Sequence, residues 1–100
     1  MSWRLDIRPA ALADIEEAAA WYDERQPGLG AEFVGAVRRA TSTLPQNPLI
    51  YRLRERRRRV RWLYPRRFPY RIVYRTTDDL ITVIAVIHAA RRDREWKTRL

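Results

Sequence analysis

Cysteine is absent from the 100 residues, and its absence removes disulfide scaffolds, thiolate metal centres and cysteine nucleophiles together. Serine occurs only at Ser2 and Ser42, the first near a terminus and the second inside a helical stripe, so a serine-histidine triad has no place to form. The single histidine, His88, has no neighbours at metal-ligand spacing, so no metal is expected. Gly28-Leu29-Gly30 lacks the third glycine of a dinucleotide loop and separates two helical patterns instead of following a strand. It is a turn, and no cofactor is expected. Val83 to Ile87 is as long as any unbroken apolar run, far short of a signal or membrane segment, and the expectation is a cytoplasmic protein with no membrane partner.

Lysine is nearly missing too: Lys97 is alone among 21 cations, and the rest are arginines. Residues 1–50 hold 5 cations against 7 acids, whereas residues 51–100 hold 16 against 5, so the net charge of +9 divides into −2 and +11. Such asymmetry predicts an electropositive face for phosphate or for an acidic partner. Arginine adds a planar fork that matches phosphate and carboxylate. Against the charge stand 46% hydrophobic residues, enough for a core, and 12.0 kDa fits a single domain spanning residues 1–100.

Trp3, Leu5 and Ile7 alternate with charged residues, the period of a half-buried strand. Pro9 then opens a helix running to about Arg25, with Leu12, Ile15, Ala19 and Tyr22 on one face and Asp14, Glu17 and Glu24 on a face read as solvated. Gln26 to Gly30 breaks the pattern. A second helix follows, with Phe33, Val37, Ala40, Thr41 and Leu44 on its stripe and Pro45 as its stop. Arg52 to Arg61 holds seven arginines in ten residues and reads as a loop or an edge. Strands are expected at Val60 to Tyr64 and Phe68 to Arg75. Thr76 to Asp79 forms a turn, and Leu80 to Ile87 is a central strand covered on both faces. The sum is an α+β fold of order β-α-α-β-β-β, a helical hairpin packed on a small, mainly antiparallel twisted sheet.

His88, at the end of the last strand beside Arg91 and Arg92, has two readings: a general base, or the commoner histidine that hydrogen-bonds backbone at a strand end. The helix carboxylates read as solvated before they read as an acid/base pair. Trp62, Tyr64, Arg66, Arg67, Tyr70, Arg71, Tyr74 and Arg75 interleave aromatics with arginines, as in surfaces that stack bases and hold phosphates. The plainer alternative packs the aromatics under the helices and turns the arginines to water. Arg67, Arg71 and Arg75 share one strand face and are expected to converge with the tail arginines Arg91, Arg92 and Arg94, and with Trp96, on one cationic groove. The Arg52 to Arg59 run is open between contacting nucleic acid and keeping an exposed edge from aggregating.

The ordered set Pro9-Ala10-Ala11-Leu12-Ala13-Asp14, Pro27 to Phe33, Asn47-Pro48, Arg67 to Tyr74 and His88 to Asp93 resembles the RelE/ParE superfamily of type II toxins, the plasmid-stabilisation type, over about residues 3–96. The resemblance implies a small toxin held inactive by a tightly bound, short acidic antitoxin. It offers two targets. RelE-like members cleave mRNA on the ribosome without a metal, and ParE-like members block DNA gyrase. In a ribonuclease, Arg71 and Arg92 match the arginines that stabilise phosphate charge. Trp62 and Tyr64 stand where the lysine pair belongs, and Trp96 stands near the expected tyrosine, with no proton to give at useful pKa. That leaves Tyr64 and His88 as the only substitutes. The long Ala-rich opening and the Phe68-Pro69-Tyr70 strand resemble the ParE branch, so gyrase is the expected target, a ribosomal ribonuclease the alternative, and a non-toxic antitoxin-binding relative the third reading.

Overall fold

The computed structural model describes residues 2–100. Strand β1 (Arg4–Ile7) leads into helix α1 (Pro9–Arg25), helix α2 (Leu29–Thr43) and a 3-10 turn, Leu44–Gln46. Four strands follow, β2 (Leu53–Glu55), β3 (Val60–Leu63), β4 (Tyr70–Thr77) and β5 (Leu80–His88), and then a short helix α3 (Arg94–Lys97). The expected architecture is present, with one strand more than the periodicity predicts. The arginine-rich stretch forms an edge strand, β2, and a tight turn into β3, because Glu55 accepts the backbone N–H groups of Arg57 and Arg58 at 3.0 and 2.8 Å. Arg59 sits at φ 58° at the end of that turn. Charge concealed the strand, since an edge needs no apolar face.

The sheet order is β1-β5-β4-β3-β2, antiparallel throughout except for β1, which runs parallel to β5 with Ile7 opposite Val83. A parallel partner is reachable because the long connection from β1 to β5 carries both helices and the three strands β2 to β4 before the chain returns beside β1. β1 lies at an edge, which is why Leu5 is exposed despite its alternation.

Pro9 has no N–H to leave unpaired in the first turn of α1, and the helix buries Ala11 and Ala18, whose small size lets it lie close on the sheet. Leu12 is 47% exposed, so the apolar stripe is rotated toward the alanines relative to the expected one. Gly28, at φ 92°, turns the chain into α2. Gly30 then touches α1: a Cβ there would lie 2.4 Å from the Ala19 carbonyl oxygen, and its N–H donates to Asp23 at 2.8 Å. Phe33, Ala36 and Val37 of α2 close the core, and Phe33 stands edge-on to Phe68 at 5.2 Å. Phe68 is buried but precedes β4, and α2 ends at Thr43, just ahead of Pro45, which lies in the 3-10 turn that follows.

β5 is central and wholly buried from Ile81 to Ile87, as its composition predicts. A bulge at Ile84, where Val73 pairs with Ala85 and Tyr74 with Val83, reverses the strand's alternation. Ile81, Val83 and Val86 face the helices, whereas Ile84, Ala85 and Ile87 join Val60, Val73 and Trp96 on the far side. The C-terminal segment covers that far side and gives the sheet its second core. Among the described residues, no helix is long and apolar enough to cross a membrane.

Candidate functional site

The predicted cationic groove separates into three places. Arg71 points to the far side of the sheet, where it is 4% exposed. Its Nη1 donates to Asp93 at 2.6 Å and its Nη2 to the Arg91 carbonyl at 2.5 Å, so one buried guanidinium ties the tail to β4. The Arg71 hydrogen bond holds the Asp93 carboxyl below its ordinary range, against the partial burial that would raise it. The Arg71 guanidinium also lies 4.8 Å from the Trp62 ring centre and that of Arg54, on β2, 4.3 Å from it, which places two cations against one indole.

Trp96 is 1% exposed and meets Trp62 edge-on at 6.0 Å. It is the apolar anchor of the tail and offers no open stacking face. Arg91, Arg92 and Arg94 precede it in the chain and are exposed; Arg91 pairs with Glu95 at 2.9 Å, a solvent-screened contact, and lines the groove on the helix side of the sheet. Arg71 and Trp96 thus meet through Asp93 and Trp62 under the tail, and the three exposed arginines lie on that same segment.

Arg67 and Arg75 do not join them. Arg67 occupies a left-handed position before β4 and pairs with Glu32 of α2 at 2.8 Å, on the helix side. Arg75 lies toward the opposite end of β4, lining a cleft with Arg57, Arg58 and Arg59. Period 2 placed Arg71 and Arg75 on one face correctly, but four residues of strand, ~13 Å, separate them.

The candidate proton carriers are also dispersed. His88 pairs across the strands with Tyr70, its ring 5.3 Å away and edge-on, on the helix side of the sheet. Its Nδ1 accepts the Ala90 N–H at 3.0 Å, the backbone bond typical of a histidine at a strand end. Tyr64 lies one residue past β3 and is 53% exposed. Around His88 and Tyr70 opens a groove of about 610 Å³ that α1 lines with Glu17, Trp21 and Tyr22. Burial pushes the Tyr70 hydroxyl pKa up, with Glu17 adding to the shift and Arg91 opposing it, and burial likewise raises Tyr22. Both phenols therefore stay protonated at neutral pH. Arg71 is on the far side of the sheet from this groove, so histidine and buried guanidinium do not face a common space.

Sequence reasoning missed two acids. Asp93 was one charge in a polar tail, and only its contact with Arg71 distinguishes it. Asp14, read as solvated, is a largely buried partner of Arg99 and accepts the Val86 N–H at 2.9 Å. Its place on the helix beside the buried Ala11 and Ala18 was the available signal. Among the described residues no group of three or more acids and histidines is placed to hold a metal ion.

Residues 5–93 match the family described as "ParE toxin of type II toxin-antitoxin system, parDE". Two curated relatives, both named Toxin ParE2, from the Mycobacterium tuberculosis strains CDC 1551 / Oshkosh and ATCC 25618 / H37Rv, are each 34% identical over 92 residues, covering 88% of this chain and 83% of the relative. The fold is shared with a structure titled "Chromosomal ParDE TA system from P. aeruginosa", at TM-score 0.76 and 21% identity over 86% of this chain and 95% of that one. It is also shared with a free-state double arginine-to-alanine mutant of the E. coli toxin RelE, at TM-score 0.67 and 20% identity over 99% of this chain and 94% of that one.

Proposed function

The chain belongs to the ParE toxin family of type II toxin-antitoxin systems, and on that premise we propose that it inhibits DNA gyrase in the cytoplasm, by binding and without chemistry of its own, until a short acidic antitoxin occupies it. Family membership implies an antitoxin partner. The acidity of that antitoxin follows from the +11 half of the chain, whose field draws negative charge.

One observation carries the binding reading. A phosphodiester cleavage site needs a proton acceptor, a proton donor and a free cation around one reacting phosphate. Here Arg71, the cation at the matching position, is closed by Asp93 and the Arg91 carbonyl, His88 lies across the sheet from it, and the cations that do line the His88 groove, Arg91 and Arg99, are paired with Glu95 and Asp14. What the tail leaves exposed is Arg91, Arg92 and Arg94, on a segment whose backbone is fixed by Trp96 and by the Arg71 bonds to Asp93 and the Arg91 carbonyl. In this reading the three exposed arginines contact the target, and Arg71 and Trp96 are positioning residues. Arg67, paired to α2, and Arg75, at the far end of β4, lie outside the contact.

The test is a supercoiling reaction with purified toxin and gyrase. Inhibition that weakens in the Arg91→Ala/Arg92→Ala/Arg94→Ala variant, with folding unchanged, supports the reading. Undiminished supercoiling at saturating wild-type toxin contradicts it.

A further inference from the structure

The far end of the sheet carries a second cationic feature, independent of the tail. The β2 to β3 turn and the β4 to β5 turn lie side by side, because Val60 pairs with Arg75 and Thr77 with Leu80. Between them is a cleft of about 550 Å³ lined by Arg57, Arg58, Arg59 and Arg75, with Thr76, Thr77, Asp78, Trp3 and Leu49. Four arginines face a single carboxylate.

The fold holds these cations together without neutralising them. Among the described residues, the ion pairs engage Arg4, Arg67, Arg71, Arg91 and Arg99 and none of the cleft arginines. Glu55, the only acid between Arg52 and Arg75, spends both oxygens on the turn backbone. Like charges kept adjacent on a tight turn repel one another, and a ligand carrying several negative charges relieves that repulsion by displacing counterions.

We propose that this cleft grips the phosphodiester backbone of a nucleic acid through Arg57, Arg58, Arg59 and Arg75, with the Thr76 and Thr77 hydroxyls as secondary donors. Arginine and threonine side chains are common phosphate contacts. An acidic peptide fits less well, because it needs apolar anchors. Of the exposed apolar residues nearby only Leu49 reaches the lining, Ile50, Tyr51 and Leu53 lie outside it, and Trp3 is packed against the helix-side core, so the cleft offers one apolar anchor against four arginines. The proposal gives Arg57 to Arg59 of the arginine run a contact role, leaves Arg52 to Arg56 with the edge strand, and does not depend on gyrase being the target.

The experiment measures binding of a fluorescently labelled duplex DNA, a single-stranded RNA and a poly-glutamate peptide to the full chain across a range of salt. It compares wild type with Arg57→Gln/Arg58→Gln/Arg59→Gln and with the charge-matched control Arg38→Gln/Arg39→Gln/Arg66→Gln. The turn's hydrogen bonds to Glu55 come from backbone N–H groups, so the first triple variant keeps them. The expected result is a loss of roughly 30-fold in nucleic-acid affinity near 0.1 M salt for the cleft variant, with the slope of log affinity against log salt reduced by roughly 2 to 3 and the control within about threefold of wild type. Duplex and single strand share the phosphate chemistry, and their relative affinities identify the source. Equal losses in both triple variants, or binding of the peptide alone, overturn the proposal.

Discussion

Asp14 and Arg99, 85 positions apart, form a two-pronged ion pair at 2.6 and 3.0 Å that takes over the edge of β5 just where β1 ends. β1 pairs as far as Ile7 with Val83, and Arg8 adds a last backbone bond before Pro9 begins α1. Beyond that point the Val86 N–H donates to Asp14 Oδ2 and the Ile84 carbonyl accepts from Arg99 Nη1, so two side chains replace the missing strand. Arg8 in turn donates to the Arg99 carbonyl at 2.9 Å. The first helix, the central strand and the C-terminal residues are thereby one unit, and the tail that carries the exposed arginines is anchored at both ends, by Arg71 and by Arg99.

Asp14→Ala is therefore expected to destabilise the fold by about 3 kcal/mol, because it strands a buried N–H and a partly buried guanidinium together. Asp14→Asn, which keeps an acceptor for Val86, costs roughly half as much. Urea denaturation of the three proteins gives the ranking, and equal stability of Asp14→Ala and wild type contradicts the edge-closing role.

Gly30→Ala tests the helical hairpin. The added methyl falls 2.4 Å from the Ala19 carbonyl oxygen and 2.7 Å from Asp23 Cγ, and the carbonyl is helix backbone that cannot yield. A cost of about 3 kcal/mol or more is expected, whereas in an open helix the same change stabilises by up to ~1 kcal/mol. The sign of the change in thermal midpoint decides.

Asp93 predicts a pH dependence. Its folded pKa lies below the ordinary value of 3.8, so the native state binds fewer protons than the unfolded chain as the group titrates. The stabilisation is complete above about pH 5 and is lost as pH falls through the folded pKa. The stability difference between wild type and Asp93→Asn should narrow over that acid range and stay constant above it. A gap unchanged down to the lowest folded pH contradicts the Arg71 contact.

Much of the fold was legible because its strong patterns are apolar. The alternation of β4, the β-branched run of β5 and the stripe of α2 each survive in the structure, and that of α1 survives rotated toward its alanines. What escaped depended on contacts between distant segments. The bulge at Ile84 leaves no mark in a run of uniformly apolar residues, yet it decides which core Val86 and Ile87 enter. β2 was concealed by arginine, and Leu12 and Leu5 are exposed because the small alanines, or an edge position, made room elsewhere. At the site, spacing marks residue types and not their partners. Arg71 and Trp96 stand out in the sequence by type, but neither the acid that closes Arg71 nor the tryptophan against Trp96 is marked by spacing, since Asp93 and Trp62 meet them only in the folded chain.

The central claim is that the tail arginines grip a target while the sheet performs no bond cleavage. The most direct measurement incubates one preparation of toxin in parallel with gyrase on plasmid DNA and with translating ribosomes, then maps DNA breaks trapped on gyrase and cuts in the mRNA. The account predicts gyrase-dependent DNA breaks with intact mRNA. Cuts in ribosome-bound mRNA, with gyrase unaffected, contradict it.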